Sequence, residues 1–326
     1  MRKRIYGIAV ALNYGLKDIG LRTGRCIVSV FPKSIKTALW ILKITLPISL
    51  VVSLLSYIGF MALLSDLLTP IFSLVGLSGS AVLAFITGVF LNIYSVIAVI
   101  SQLSLSLREI TIIAVMSLIA HNLFVETAVQ SRTGSRAWHM VALRLGMALL
   151  SAFMLNALLP DLPTIMGHSI QHVEDNTLSA HLLGWVASAL RMVVKIIVLV
   201  FLLMVLQEVL REFNLITVLT IPLSPFIKIL GLPESTTFLW IVANTLGLAY
   251  GGAVMLEEVN RGRISKPEAD LLNYHVAISH SNLEDLLLFA AIGASIPWML
   301  GVRLVIALGA VWLRRWYLIH QGEVLN

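Results

Sequence analysis

Long apolar stretches alternate with short polar breaks along the chain, and their spacing predicts an all-helical membrane protein. Runs near 44–64, 109–130, 139–159, 196–213, 269–290 and 297–316 are apolar enough and long enough to cross a bilayer, which takes about 20 residues of helix. Two further apolar stretches, 80–101 and 236–257, are interrupted by polar residues and glycines. One clearly polar loop, 160–181, holds Asp161, Glu174 and Asp175 and no Lys or Arg.

The same pattern occurs twice. Leu68-Thr69-Pro70-Ile71-Phe72 parallels Leu223-Ser224-Pro225-Phe226-Ile227, and Gly76-Leu77 matches Gly231-Leu232 at the same offset of 155. Four extra residues near 259–266 move the offset to 159. Glu109 then pairs with Glu268, His121 with His280, Glu126 with Asp285, and Gly134, Met140, Arg144 and Leu145 with Gly293, Met299, Arg303 and Leu304. Apolar sequence produces chance matches among Leu, Ile and Val, but it does not readily align His, Glu and Arg in order, so we read a duplication.

Each repeat has an apolar span, an amphipathic piece with Pro, a broken apolar segment, a polar-studded helix and a final span with one Arg. The breaks fall at Gly79, Gly88 and Asn92 in the first repeat and at Asn244, Thr245, Gly247, Gly251 and Gly252 in the second. Split there, each half is about 10 residues, or roughly 15 Å of helix, half a bilayer. A re-entrant hairpin is one reading, because non-helical backbone at membrane depth is tolerated where protein or a water-filled cavity covers it. A full span is the other, and counting Lys and Arg on either side does not separate them. In the hairpin reading the loop with Arg132 and Arg136 falls on the cytoplasmic side, and 160–181 outside.

Composition agrees with the pattern. The chain has 326 residues, is 58% hydrophobic and only 12% charged, with a mean hydropathy of +0.93. A soluble domain is about 25% charged, so this balance excludes a cytosolic enzyme, a nucleic-acid module and a disordered chain. The net charge of +6 reflects basic cytoplasmic segments rather than nucleic-acid binding. Arg2, Lys3, Arg4, Lys17, Arg22, Arg25, Lys33 and Lys36 cluster at the start against Asp18 alone, so residues 1–36 are expected to be a cytoplasmic or interfacial segment. Cys26 is the single cysteine, which leaves no disulfide frame and no CxxC pair.

Ionisable groups inside spans are costly and by default mark a function or a buried partner. The first cluster is His121, Asn122, Glu126 and Thr127; the second is His280, Ser281, Asn282, Glu284 and Asp285, with His275 nearby. His121 and Glu126 are five residues apart, about 140° around an ideal helix, and share a face only where the helix unwinds. That spacing, with no HExxH and no third ligand in sequence, gives no expectation of a metal site. Arg144 follows Glu126 by eighteen residues, as Arg303 follows Asp285; joined by turns near Gly134 and Gly293, each base reaches the depth of its acid. A purely structural ion pair and a site for a coupling cation, proton or polar substrate are both open at this point. The breaks offer freed backbone groups together with Asn92, Asn244 and Thr245; the alternative there is close helix packing on glycine.

The run Gly76-Leu77-Ser78-Gly79-Ser80-Ala81-Val82 through Gly88 to Asn92, with His121-Asn122-Leu123-Phe124-Val125-Glu126-Thr127, resembles the nucleoside recognition, or Gate, domain. Gly231-Leu232-Pro233-Glu234-Ser235-Thr236-Thr237 to Gly247 resembles a diverged second copy. Such domains occur in concentrative nucleoside transporters, in the membrane part of ferrous iron transport protein B, and in spore maturation proteins A and B. The resemblance implies inverted repeats, each with a re-entrant hairpin and a partly unwound helix around a central site. The stretch 246–252 carries no acid, unlike the hairpin tip of nucleoside transporters, and no Cys stands near the first tip.

The expectation is therefore an all-α polytopic membrane protein of two inverted repeats, each with three spans and a re-entrant hairpin. Its segments are 1–36, a first Gate repeat 37–160, an extracytoplasmic linker 161–187, a second Gate repeat 188–318 and a tail 319–326. The expected function is alternating-access movement of a small polar solute, nucleoside-like or ion-coupled, in a bacterial inner membrane with the N-terminus cytoplasmic. A non-transporting scaffold, akin to spore maturation proteins, is the alternative. Glu126, Asp285, His121, His280, Asn122, Ser281, Asn282, Asn92, Asn244 and Thr245 are the expected substrate- or ion-binding residues, with Arg144 and Arg303 balancing charge. No catalytic residue, metal or cofactor is expected, since no Ser/His or Cys/His arrangement is visible; H⁺ or Na⁺ is the candidate coupling ion. Membrane lipid and a small-molecule substrate are the expected partners, nucleic acid is not, and homo-oligomerisation is left open.

Overall fold

A computed structural model describes residues 16–160 and 177–323, and within them the chain is all helix, loop and turn. Most of the expected linker and the first fifteen residues lie outside the described residues. The first half comprises α1 (Leu16–Tyr57), α2 (Phe60–Phe72), α3 (Gly79–Phe90), α4 (Ile93–Ile100), α5 (Leu107–Ala120), α6 (Leu123–Arg132) and α7 (Ala137–Leu158). The second comprises α8 (Leu178–Glu212), α9 (Leu215–Ile229), α10 (Thr237–Leu246), α11 (Leu248–Asn260), α12 (Lys266–Ile278), α13 (Glu284–Ala290) and α14 (Ile296–His320). Among the described residues, five segments are long and apolar enough to cross a membrane: Asp18–Tyr57, Leu107–Arg132, Ala137–Leu158, Leu178–Glu212 and Ile296–His320. The protein is a multi-pass membrane protein.

The first helix differs from its expected bounds. It runs through residue 36 without a break, so the basic segment and the first span are one helix, which ends before Gly59 rather than at 64. A stripe of mostly small residues explains the extension: Cys26, Val30, Ser34, Ala38, Ile41, Thr45, Ser49 and Ser53 recur every three or four positions and are buried, while Arg25, Lys33 and Lys36 are exposed. Small residues at this period let two helices approach closely. The partner is α8, which runs antiparallel to α1. Arg22 pairs with Glu212 at 2.8 Å, Phe31 meets Phe201 edge-on, Trp185 donates to Ser49 Oγ at 3.1 Å, and Ser53 Oγ lies 2.9 Å from His181 Nε2.

Both interrupted segments are helical hairpins. α3 and α4 hold 12 and 8 residues, α10 and α11 hold 10 and 13; at 1.5 Å per residue each limb is about 12–20 Å, too short for a hydrocarbon core of about 30 Å. In each pair the limbs fold back on one another. The first turns at Leu91–Asn92, where Asn92 caps α4 by accepting from Ser95 N at 3.0 Å. The second turns at Gly247, whose φ of 82° and ψ of 166° suit glycine alone. Gly251 lets the limbs touch: a Cβ there would lie 3.0 Å from both Cα and Cβ of Ala243.

The stretches 109–130 and 269–290, read as continuous spans, are each split. α5 passes to α6 through His121–Asn122, and α12 passes to α13 through Ser279–Leu283. The segment Leu107–Arg132 is also the most enclosed, with 72% of its apolar window buried against 28% for Ala137–Leu158 and for Leu178–Glu212. It lies at the centre, and its break opens into protein. Matching capping boxes start the two split helices, Ser106 with Glu109 and Ser265 with Glu268, and each Glu also accepts from the serine that precedes or opens the hairpin of its own repeat, Ser78 at 2.7 Å and Ser235 at 2.9 Å.

Replacing Gly251 by Val should force the second hairpin apart and lower stability by about 1–3 kcal/mol, read as a lower Tm in detergent. Gly301→Ala, at a helical glycine with nothing within 4 Å, should leave Tm unchanged or raise it.

Candidate functional site

The two helix breaks have the same backbone. Asn122 and Ser281 both adopt left-handed conformations, with φ of 48° and 50°, which cost a non-glycine residue about 1–3 kcal/mol. Each is pinned by its hairpin: Asn122 N donates to Gly88 O at 2.9 Å and Ser281 N donates to Ala243 O at 3.1 Å. Gly88 and Ala243 are themselves equivalent, 155 residues apart. The breaks therefore rest on the hairpins, and a movement of a hairpin is felt directly at the break.

Each break exposes carbonyl groups, and each repeat answers with its arginine. Arg144 donates through Nε to Ile119 O at 2.7 Å and through Nη2 to His121 O at 2.7 Å. Arg303 makes the same two bonds, to Ile278 O at 2.9 Å and His280 O at 2.6 Å. Both side chains are fully buried. A cation at the C-terminal end of a helix also faces the negative end of its dipole. The bases then differ. Arg144 Nη2 contacts Glu126 Oε2 at 2.6 Å, whereas Arg303 Nη1 donates to Asn282 Oδ1 at 2.9 Å.

Unwinding brings His121 and Glu126 together despite their five-residue separation: Nε2 to Oε1 is 3.2 Å. The partners on the other side come from the second repeat. His121 Nε2 lies 3.6 Å from Asp285 Oδ2, and His280 Nε2 lies 3.4 Å from Glu126 Oε2. The two imidazoles face each other with centroids 5.2 Å apart and planes inclined by 34°. Asn282 Nδ2 bonds Asn244 Oδ1 at 2.5 Å, and Leu283 N donates to Asn244 O at 3.1 Å, so the second hairpin joins the same cluster.

The remaining expected residues have local roles. Thr245 Oγ1 donates back to Ile241 O within its helix, Asn92 is occupied by its cap, and the Asn122 side chain makes no cap bond. His275 accepts from Trp240 Nε1 at 3.2 Å and is a core residue. Two neighbours escaped the sequence reading. Tyr94 Oη donates to Glu284 Oε1 at 3.1 Å, and Gln207 Nε2 donates to Glu284 Oε2 at 3.1 Å. Gln207, a polar residue inside the apolar run 196–213, was a usable signal; Tyr94 gave none. A second polar seam lies beyond α6, where Asn273 Nδ2 contacts Gln130 O, Thr133 Oγ1 and Ser135 Oγ, and Asp270 is held by Ser135 and Arg314.

A family described as Gate, nucleoside recognition, matches residues 38–134. The uncharacterized membrane protein YvoD of Bacillus subtilis (strain 168) is 32% identical over 269 residues, 81% of this chain and 86% of YvoD. The chain belongs to the family of YvoD. A solved structure of a doubly substituted CNTnw, a concentrative nucleoside transporter, in an outward-facing state superposes with a TM-score of 0.58. It covers 91% of this chain and 82% of CNTnw at 15% identity. The Gate match ends at Gly134 and so includes the first hairpin and the whole split helix with His121 and Glu126. The fold is transporter-like.

Arg144→Met leaves Glu126 as a buried carboxylate without its guanidinium and should cost about 3–5 kcal/mol. Adding Glu126→Gln to that variant should recover part of the loss. A double-mutant cycle on Tm or on denaturant midpoint measures the coupling.

Proposed function

We propose that the protein moves a small polar solute across a bacterial inner membrane by alternating access, with the N-terminus on the cytoplasmic side. The observation that carries this reading is the buried cluster of His121, Glu126, His280 and Asp285, built half from each repeat at two helix breaks that rest on two hairpins. A charged cluster is an expensive way to join apolar helices, and hydrophobic replacements are often as stable. Its repetition in both halves favours a working site over a strut.

The antiparallel course of α1 and α8, the first helices of the two repeats, supports an inverted relation between the halves. Inverted repeats carry solute sites at their interface near the bilayer midplane, and rocking of one half against the other opens them in turn. Basic residues near the start of the chain support a cytoplasmic N-terminus. Glu126 and Asp285 are the solute or coupling-ion contacts, His121 and His280 their neighbours, and Asn122, Asn244, Ser281 and Asn282 neutral hydrogen-bonding groups. H⁺ or Na⁺ is the coupling ion in this reading, which is that of a transporter rather than an enzyme.

Thermal unfolding of the purified protein against nucleosides, nucleobases and Na⁺, with pH varied separately, tests this. A ligand at 100 times its Kd should stabilise by about 2.7 kcal/mol. That shift should vanish in Glu126→Gln and Asp285→Asn, and the same ligand should accumulate in proteoliposomes. A scaffold would show no solute accumulation, and both substitutions would leave its phenotype intact.

A further inference from the structure

The facing groups of the central cluster are mismatched in a specific way. His121 Nδ1 lies 2.9 Å from Ser117 O, and His280 Nδ1 lies 2.6 Å from Val276 O. A main-chain carbonyl can only accept, so both Nδ1 atoms carry the proton. In the neutral rings both Nε2 atoms are then lone pairs. Those lone pairs point at carboxylate oxygens of Glu126 and Asp285, which are also acceptors. Four acceptors converge, and Arg144 Nη2 meets one of them, Glu126 Oε2, at 2.6 Å. His280 Nε2 is fully buried without a hydrogen-bond partner, and Glu126 Oε2 accepts no aligned hydrogen bond in spite of its contact with Arg144.

A cation between the two imidazole nitrogens is what such a set lacks. A proton on one imidazole answers one ring and leaves the other lone pair facing an acceptor. The separations also fit a proton poorly. Charge-assisted N–H···O⁻ bonds are about 2.7–2.9 Å, while these are 3.2, 3.4 and 3.6 Å. A tetrahedral ion with bonds of about 2.0–2.2 Å holds its ligand atoms about 3.3 Å apart. The ligand atoms of His121, Glu126 and His280 all lie within 4.8 Å of one another. The carbonyl-bonded Nδ1–H is the usual support behind a metal-binding imidazole, fixing tautomer and ring orientation. The two carboxylates supply negative charge for a divalent ion, Glu126 sharing its charge with Arg144, and each arginine gives two of its N–H groups to main-chain carbonyls.

We propose that His121, His280, Glu126 and Asp285 form a binding site for a divalent first-row transition metal ion, with two nitrogen and two oxygen ligands, of the kind that suits Zn²⁺ or Co²⁺. The ion joins the two repeats at their helix breaks, so occupancy holds the halves together. The inference deepens the reading of this cluster as a solute or ion site. It is tested by equilibrium binding, which does not require transport.

The full-length protein, stripped with EDTA in detergent, is titrated with Co²⁺ and then Zn²⁺. The result expected is one metal per chain by elemental analysis, with the visible absorption of tetrahedral Co²⁺ lost on adding Zn²⁺. His280→Gln should weaken Co²⁺ binding by at least about tenfold, while His275→Gln, at a buried histidine outside the cluster, should not. Where His280→Gln gives no monodisperse protein, Asp285→Asn supplies the same readout. A well-folded protein with no Co²⁺ band, or equal Co²⁺ binding in a His121→Gln/His280→Gln double variant, would overturn the site. Tight Co²⁺ binding without uptake of any solute in liposomes would instead leave the metal site standing and overturn the transport reading.

Discussion

The bond between each buried arginine and the carbonyls freed by a broken helix is the interaction on which the rest depends. A helix that stops inside a membrane leaves C=O groups with no water to satisfy them, at a cost of several kcal/mol. Arg144 and Arg303 each take two of these groups from the adjoining helix. Without them the backbone at His121 and His280 would have reason to remain helical, and a continuous helix would put His121 and Glu126 on different faces. Neighbouring helix breaks, left-handed residues and clustered charges are thus consequences of one arrangement, made twice.

That arrangement also accounts for the weaknesses of the structure. Asn122 and Ser281 sit in strained backbone, and short hairpin limbs press glycine against neighbouring backbone. A single rigid helix would be simpler to build. Strain of this kind persists where the surroundings hold it, and the hairpins do so through Gly88 and Ala243. A fold that rests each break on a separate hairpin has a mechanical route from hairpin movement to the charged cluster. The difference between the halves belongs to the same picture: Arg144 holds a carboxylate, while Arg303 holds the Asn282 amide and leaves Asp285 to the opposite repeat.

Much of this was legible in the sequence because rare residues carry register. The aligned His, acid and Arg pairs identified the repeat, and the polar gaps in 80–101 and 236–257 located both hairpins to within a few residues of their turns at Asn92 and Gly247. The breaks in 109–130 and 269–290 were not visible from hydropathy, since Ile, Leu and Ala flank both; only the family resemblance suggested unwinding. Nor did the sequence indicate which acid meets which histidine. Pairing across repeats depends on the tertiary approach of α6 to α12 and α13, and within each repeat the spacing argued against contact. The length of α1 was missed for a different reason. Its Lys and Arg residues suggested a surface segment, while the buried stripe from Cys26 to Ser53 that continues the helix is made largely of small residues with little hydropathy signal.

The central claim is that a cluster between two repeats faces each side of the membrane in turn. The most direct measurement replaces buried Cys26 by Ala, places a single cysteine at Ser281, and labels it with a membrane-impermeant thiol reagent in right-side-out and inside-out vesicles. The account predicts labelling from both sides, slowed from both by a ligand that holds the cluster closed. Labelling from one side alone, under every ligand condition, would contradict it.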